Sequence, residues 1–235
     1  FYFTIVTIAT VGYGDIHPMT QIGKLLAIIL TIMGVGTFLG VIANATEMML
    51  NRREQQTRLQ KLNMIIGVFF SEVGTKLLEL FSDFSSNLDR IHREVIVTED
   101  WNEQDFLTAR KHLKNINYEV DIQKCKLGEL RNFLLSQKSL LVGLLQNPTL
   151  LEHESFTDLL RAVFHLTEEL AYRKNVMQLP ETDNAHLTGD IKRIYDLLVD
   201  QWLDYMKYLK DNYPYLYSLA LRTNPFDEEA SPIVK

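Results

Sequence analysis

No charged side chain stands between Leu25 and Ala45. That run constrains the fold more than any other feature of the chain. Most of it is apolar, and roughly 20 such residues are what a helix needs to cross a bilayer core. In lipid the backbone must satisfy its own polar groups, so the run is expected to be helical. Thr31, Thr37, Asn44 and Thr46 are the polar exceptions, and Gly34, Gly36 and Gly40 are small enough to let helices approach closely. The run ends at Glu47. Arg52, Arg53, Arg58 and Lys61 follow, against a single acid, Glu54. Positive charge beside a span marks its cytoplasmic side. Everything after Leu50 is therefore expected inside the cell.

Ahead of the span lies Thr10-Val11-Gly12-Tyr13-Gly14-Asp15. Neither a regular strand nor a regular helix aims successive carbonyls the same way. Alternating right- and left-handed dihedrals would. Glycine enters left-handed space at little steric cost, whereas a residue with a Cβ resists it. Gly12 and Gly14 stand where such a backbone needs them.

These residues and their flanks resemble the prokaryotic-type potassium channel pore family. Thr7-Ile8-Ala9-Thr10-Val11-Gly12-Tyr13-Gly14-Asp15 is similar to its T-x-x-T-x-G-Y-G-D signature. Pro18, Thr20 and Gly23-Lys24 resemble the segment leading into its inner helix. Gly34-Val35-Gly36-Thr37-Phe38 resembles that helix's glycine-bearing middle. The resemblance covers about the first fifth of the chain and is absent afterwards. It implies a selectivity filter in which backbone carbonyls replace the hydration shell of a potassium ion. K+ would be coordinated at Thr10, Val11, Gly12 and Tyr13, with Gly14 completing the loop and Asp15 at the outer mouth. One chain supplies one loop, so a homotetramer in a lipid bilayer is implied. Gly34 and Gly36 become candidates for a gating hinge, with plain helix packing as the other reading. Leu39, Ala43 and Glu47 become candidates for an inner gate. The chain opens inside the expected pore helix, so it is read as a fragment lacking an outer transmembrane helix, and the intact protein as multi-pass in the cell membrane. Two and six transmembrane helices both stay open.

The rest of the chain is expected to be all-α. The organisation read from the residues is a pore over 1–50, a basic linker over 51–63, a cytoplasmic helical domain over 64–222 and a disordered tail over 223–235. Apolar residues repeat at helical spacing from Leu59 through Phe70, Leu77, Phe81, Phe84 and Leu88 to Ile91. Asp100 with Glu103 looks like a capping box for a helix over 106–113. A longer helix is expected from Val120 to Leu145, broken by Asn147-Pro148. Another runs over 156–172, capped by Ser155 or Thr157. Leu179 to Asn184 reads as a loop, and 187–209 as the clearest helix, ended by Tyr213-Pro214.

Beyond residue 61 the chain carries 19 basic and 27 acidic side chains. An acidic domain is a poor candidate for nucleic-acid binding, which needs a basic surface. No glycine triplet of the dinucleotide-binding kind occurs beyond residue 50. Cys125 is alone and reads as an inert buried thiol. The pairs Asp89/His92, Asp183/His186 and His165/Glu169, with His153 between two glutamates, could bind a divalent metal if they converged. None belongs to a recognised ligand set, and they are read as structural or solvated. The aromatic stripe Tyr195, Trp202, Tyr205, Tyr208, Tyr213, Tyr215 and Tyr217 is read as core packing, because Leu198, Trp202, Tyr205 and Leu209 share one helical face. No enzyme is expected, and no cofactor beyond the permeant K+. A cytosolic ligand or protein partner of unknown identity is expected for the helical domain. The alternative is a membrane-anchored helical sensor or scaffold whose C-terminal domain binds a protein partner.

Overall fold

The computed structural model describes residues 1–9, 11–82, 94–116, 120–122, 124–227 and 229–233. The chain divides into two compact units, Phe1–Leu59 and Gln60–Lys235. The fold is all-α, as the apolar spacing predicts, and no strand occurs among the described residues.

The first unit holds α1 (Tyr2–Ile8) and the larger part of α2 (Gln21–Phe69). The Thr20 hydroxyl accepts a hydrogen bond from the Gly23 N–H at 3.1 Å, which satisfies one of the orphan donors at the start of α2. Three threonine hydroxyls of the apolar run donate one turn back along the helix. Thr31 donates to the Ala27 carbonyl (2.8 Å), Thr37 to Met33 (2.7 Å) and Thr46 to Ile42 (2.9 Å). Each polar exception of this kind is thereby satisfied within its own helix, as lipid requires. At 1.5 Å per residue, Leu25 to Ala45 measures about 31 Å, close to a bilayer core. The residues expected as a linker, 51–63, are helical and belong to α2.

The second unit contains the core. Leu62, Ile66 and Phe69 on the last turns of α2 are buried. A π-helical turn, Phe70–Gly74, follows, and then α3 (Thr75–Ser82). Gly74 is tightly enclosed: a Cβ there would lie 2.6 Å from Phe70 Cδ1 and 3.0 Å from Phe69 Cε1. The expected continuation through Phe84, Leu88 and Ile91 lies outside the described residues.

Helix α4 (Glu103–Asn115) starts from a capping box, but not the expected one. Asn102 Oδ1 accepts from the Gln104 N–H (2.8 Å) and the Asp105 N–H (3.3 Å), and Asp105 Oδ2 accepts from the Asn102 N–H (2.7 Å). The box is therefore Asn102 with Asp105, displaced from Asp100 with Glu103. Helix α5 (Leu127–Leu145) begins seven residues later than the expected Val120. Turn bonds from Lys124 to Asp121 and from Cys125 to Ile122 occupy the backbone there. Asn147 breaks the helix as expected. Its side chain accepts from the Thr149 N–H and opens a short 3-10 turn, Pro148–Glu152.

Helix α6 (Glu154–Tyr172) is capped by neither Ser155 nor Thr157. His153 Nδ1 accepts from the Phe156 N–H at 3.3 Å, while the Thr157 hydroxyl donates to the Leu150 carbonyl. Helix α7 (Glu181–Asn212) consumes most of the expected loop at 179–184. Pro180 precedes it, and Glu181 and Asp183 place negative charge on its first turn, where the helix dipole favours it. It stops at Tyr213-Pro214 as expected, and α8 (Pro214–Arg222) follows.

Helix α6 packs against both α5 and α7, and α7 also meets α3, α4 and α8. Arg131 Nε of α5 donates to the Leu170 carbonyl of α6 at 3.0 Å. Arg110 of α4 bridges Asp200 (2.8 Å) and Asp204 (2.5 Å) of α7. Leu198, Trp202 and Leu209 are buried along one face of α7, so the aromatic stripe is core at these positions. The Trp202 ring meets Phe70 at 5.6 Å and Phe226 at 6.2 Å. Phe226 is itself buried, so the segment expected as a tail is packed at that point.

Candidate functional site

The loop between α1 and α2 bends as its glycines allow. Gly12 has φ +55° and Gly14 has φ +74°, the positive-φ glycines among the described residues. Tyr13 lies between them, so positive φ recurs two residues apart along the loop. The N–H groups of Val11 and Gly12 both donate to the Val6 carbonyl (3.0 and 3.2 Å), which ties the loop to the end of α1. The Asp15 carboxylate interacts with the Tyr2 side chain, which relates the far end of the loop to the start of α1. Thr10 lies outside the described residues. Val11 and Tyr13 are exposed.

Gly34 lies under α1. A Cβ there would collide with Ile8 Cγ1 and stand 2.9 Å from Ile8 Cδ1. Close packing therefore explains this glycine directly. Gly36 has nothing within 4 Å of a Cβ position. Leu39, Ala43 and Glu47 follow at intervals of four on α2, and all three are exposed. Ile22, Leu26, Ile32, Phe38 and Val41 are exposed as well. An apolar surface of this kind calls for lipid or protein cover. By length and composition, α2 can cross a membrane, and none of its apolar window is buried.

In the second unit the structure joins two helical pairs that the sequence shows only separately. His165 and Glu169 stand one turn apart on α6, and His186 and Asp190 one turn apart on α7. Asp190 Oδ2 lies 3.6 Å from His165 Nε2 and 3.5 Å from His186 Nε2. The carboxylate of Glu169 lies 3.9 Å from each imidazole Nε2, through Oε1 to His165 and Oε2 to His186. Asp190 is the member that motif reading missed. A signal for it exists: His165-Leu166-Thr167-Glu168-Glu169 and His186-Leu187-Thr188-Gly189-Asp190 repeat one pattern, His-Leu-Thr-x-acid. Asp183, paired with His186 on sequence spacing, instead accepts from Arg173 Nη2 and Nε (2.6 and 2.8 Å). His153 serves as a helix cap, and Asp89 and His92 lie outside the described residues.

Arg173 Nη1 also donates to Glu169 Oε2 at 2.6 Å. These hydrogen bonds hold the Asp183 and Glu169 carboxyls below the usual carboxylate range and raise the guanidinium. A carboxylate whose folded pKa is depressed contributes stability that is complete above its unfolded pKa, about 4, and is lost as pH falls through the folded value. The full chain should therefore lose stability toward acid more steeply than its Arg173→Gln variant. Urea midpoints taken at pH 6 and on descending toward pH 3 check this; parallel curves would remove the assignment. Burial pushes the Cys125 thiol up to about 12, so it is protonated and inert at neutral pH, in line with its reading as a buried thiol.

A membrane segment carrying a glycine-alternated loop, joined to a helical bundle, defines the class: a potassium-channel-type pore segment with an attached helical domain. Residues 1–51 match the family described as "Ion channel". Over residues 58–222 the chain belongs to the family described as "Uncharacterized protein MJ1433, C-terminal helical domain". It is 46% identical over 184 residues to "Uncharacterized protein MJ1433" of Methanocaldococcus jannaschii, covering 78% of this chain and 74% of that one. "Potassium channel protein 1" of the same organism is 38% identical over 92 residues, 34% of this chain and 27% of its own length. "Two-pore potassium channel 4" of Arabidopsis thaliana is 41% identical over 63 residues, 27% and 22% respectively. No solved structure matches the chain.

Proposed function

We propose that residues 1–50 form one quarter of a potassium-selective pore. Four copies would set their loops around one axis, and K+ would pass down its gradient between carbonyl rings from Thr10 to Tyr13. The observation that carries this reading is the recurrence itself: Gly12 and Gly14 both adopt positive φ, either side of Tyr13, in a Thr-Val-Gly-Tyr-Gly-Asp run. That is the backbone a column of inward carbonyls requires. The Tyr2–Asp15 contact supports a braced outer mouth.

The inner helix would close the pore by converging at its cytoplasmic end, around Leu39, Ala43 and Glu47. Gly34 and Gly36 are the positions at which it could bend. The contact of Gly34 with Ile8 favours packing there and leaves Gly36 the freer of the two. The basic stretch from Arg52 to Lys61 would lie on the cytoplasmic side, with the helical bundle beyond it biasing the gate. Such coupling requires a ligand or partner that prefers one of two states of the bundle.

Flux through liposomes holding the full chain tests the pore. Potassium efflux should run well ahead of sodium efflux. Equal rates for the two ions would overturn the reading.

A further inference from the structure

We propose that His165, His186 and Asp190 form a binding site for a zinc-class divalent transition-metal ion, stapling α6 to α7, with Glu169 beside them and a fourth position open to water. The site lies in the second unit and does not depend on whether the first unit conducts potassium.

The geometry is the first support. One ligand atom each from His165, His186 and Asp190 lies within 4.8 Å of the other two. The separations from Asp190 Oδ2 to the two imidazole nitrogens, 3.6 and 3.5 Å, are near the edge of a tetrahedron with metal–ligand bonds of about 2.0–2.1 Å. Glu169 stands beside this triad and outside it, its Oε1 lying 3.9 Å from His165 Nε2. Its other oxygen is held by Arg173. The i, i+4 spacing on both helices puts each imidazole and its carboxylate on one face, so two turns of helix present all four groups.

The second support is an unsatisfied atom. Asp190 Oδ2 is buried and has no hydrogen-bond partner among the described residues. A buried carboxylate oxygen left unpaired is costly, and a cation between the two imidazoles would satisfy it. Charge agrees. Arg173 pairs with both Glu169 and Asp183, so one guanidinium answers two carboxylates, and Asp190 adds a further carboxylate beside the imidazoles. A divalent cation would offset this excess of negative groups.

Donor type selects the metal. Two imidazoles with a carboxylate suit zinc and its first-row neighbours, whereas calcium and magnesium prefer sites built wholly of oxygen. The two imidazole side chains are 53% and 51% exposed, so an ion can reach the site from solvent without unfolding the bundle.

Titration of the full chain in detergent with zinc chloride, followed calorimetrically, tests the site. One zinc per chain is expected, with no heat from magnesium chloride. The double variant His165→Gln/His186→Gln should lose at least about tenfold in affinity, while His112→Gln, whose ring pairs with Glu94 elsewhere, should bind as before. Should the double variant fail to fold, cobalt(II) absorption of the unaltered chain decides. A four-coordinate band without thiolate charge transfer, displaced by zinc, supports the site. No zinc uptake, undiminished binding by a folded double variant, or a thiolate band from Cys125 overturns it.

Discussion

If the proposed four-fold pore is right, Gly12→Ala is expected to abolish potassium flux without changing the number of subunits that assemble. The reason is conformational and not a matter of space. Nothing lies within 4 Å of a Cβ at Gly12, yet its φ is +55°. A residue with a Cβ pays about 1–2 kcal/mol to stay in left-handed space. In a ring of four the penalty acts four times, about 4–8 kcal/mol in all, and the loop can escape it by turning its peptides. At 1.4 kcal/mol per factor of ten, the conducting backbone would become rarer by about a thousandfold or more. Gly143→Ala serves as the control, since that glycine lies in helix α5 with open space around it. Flux in liposomes, with cross-linking to count subunits, gives the answer. Undiminished selective flux from Gly12→Ala would remove the carbonyl column.

The largest expected loss of stability is at Trp202. Its side chain is 2% exposed and lies against rings from two other parts of the chain, Phe70 in the π turn and Phe226 beyond α8. Truncation to alanine removes most of that contact and leaves a cavity too enclosed to collapse. Such changes cost about 3–5 kcal/mol. Tyr215→Ala, at a ring 70% exposed, should stay within about 0.5 kcal/mol. Urea unfolding of the full chain, followed by loss of helical circular dichroism and of protease resistance, compares the two. A cost below about 1 kcal/mol at Trp202 would mean that this cluster does not anchor the unit.

How much of this could be read beforehand differs by element. The long apolar helix and the helix ending at Tyr213 announce themselves, because apolar composition and a following proline act locally. Helix starts are harder. Asp100 and Asn102 are both competent caps three residues ahead of an acid, and only the path of the chain selects Asn102. His153 is not an ordinary cap, so its role at α6 has no compositional signal. Leu179-Pro180-Glu181-Thr182-Asp183-Asn184 has loop composition, yet two of its acids suit the first turn of a helix equally well. The positive φ of Gly12 and Gly14 was legible because glycine has one dominant conformational use in such a run. The imidazole–carboxylate cluster was visible only as separate pairs. Its meeting depends on α6 lying against α7, which no short window of sequence contains.

The π turn at Phe70–Gly74 fixes a count. In an α-helix each residue advances the side chain by about 100° around the axis. The π turn carries about one residue more than an α turn, so a further residue inserted at Thr75, where α geometry resumes, would swing Leu77, Leu78 and Phe81, each 1% exposed or less, through about that angle and out of phase with the partners they now face. Side-chain identity in this stretch can drift within the limits of volume. The number of residues between Phe69 and Leu77 cannot grow, and a single-codon insertion there would damage the bundle more than most single replacements.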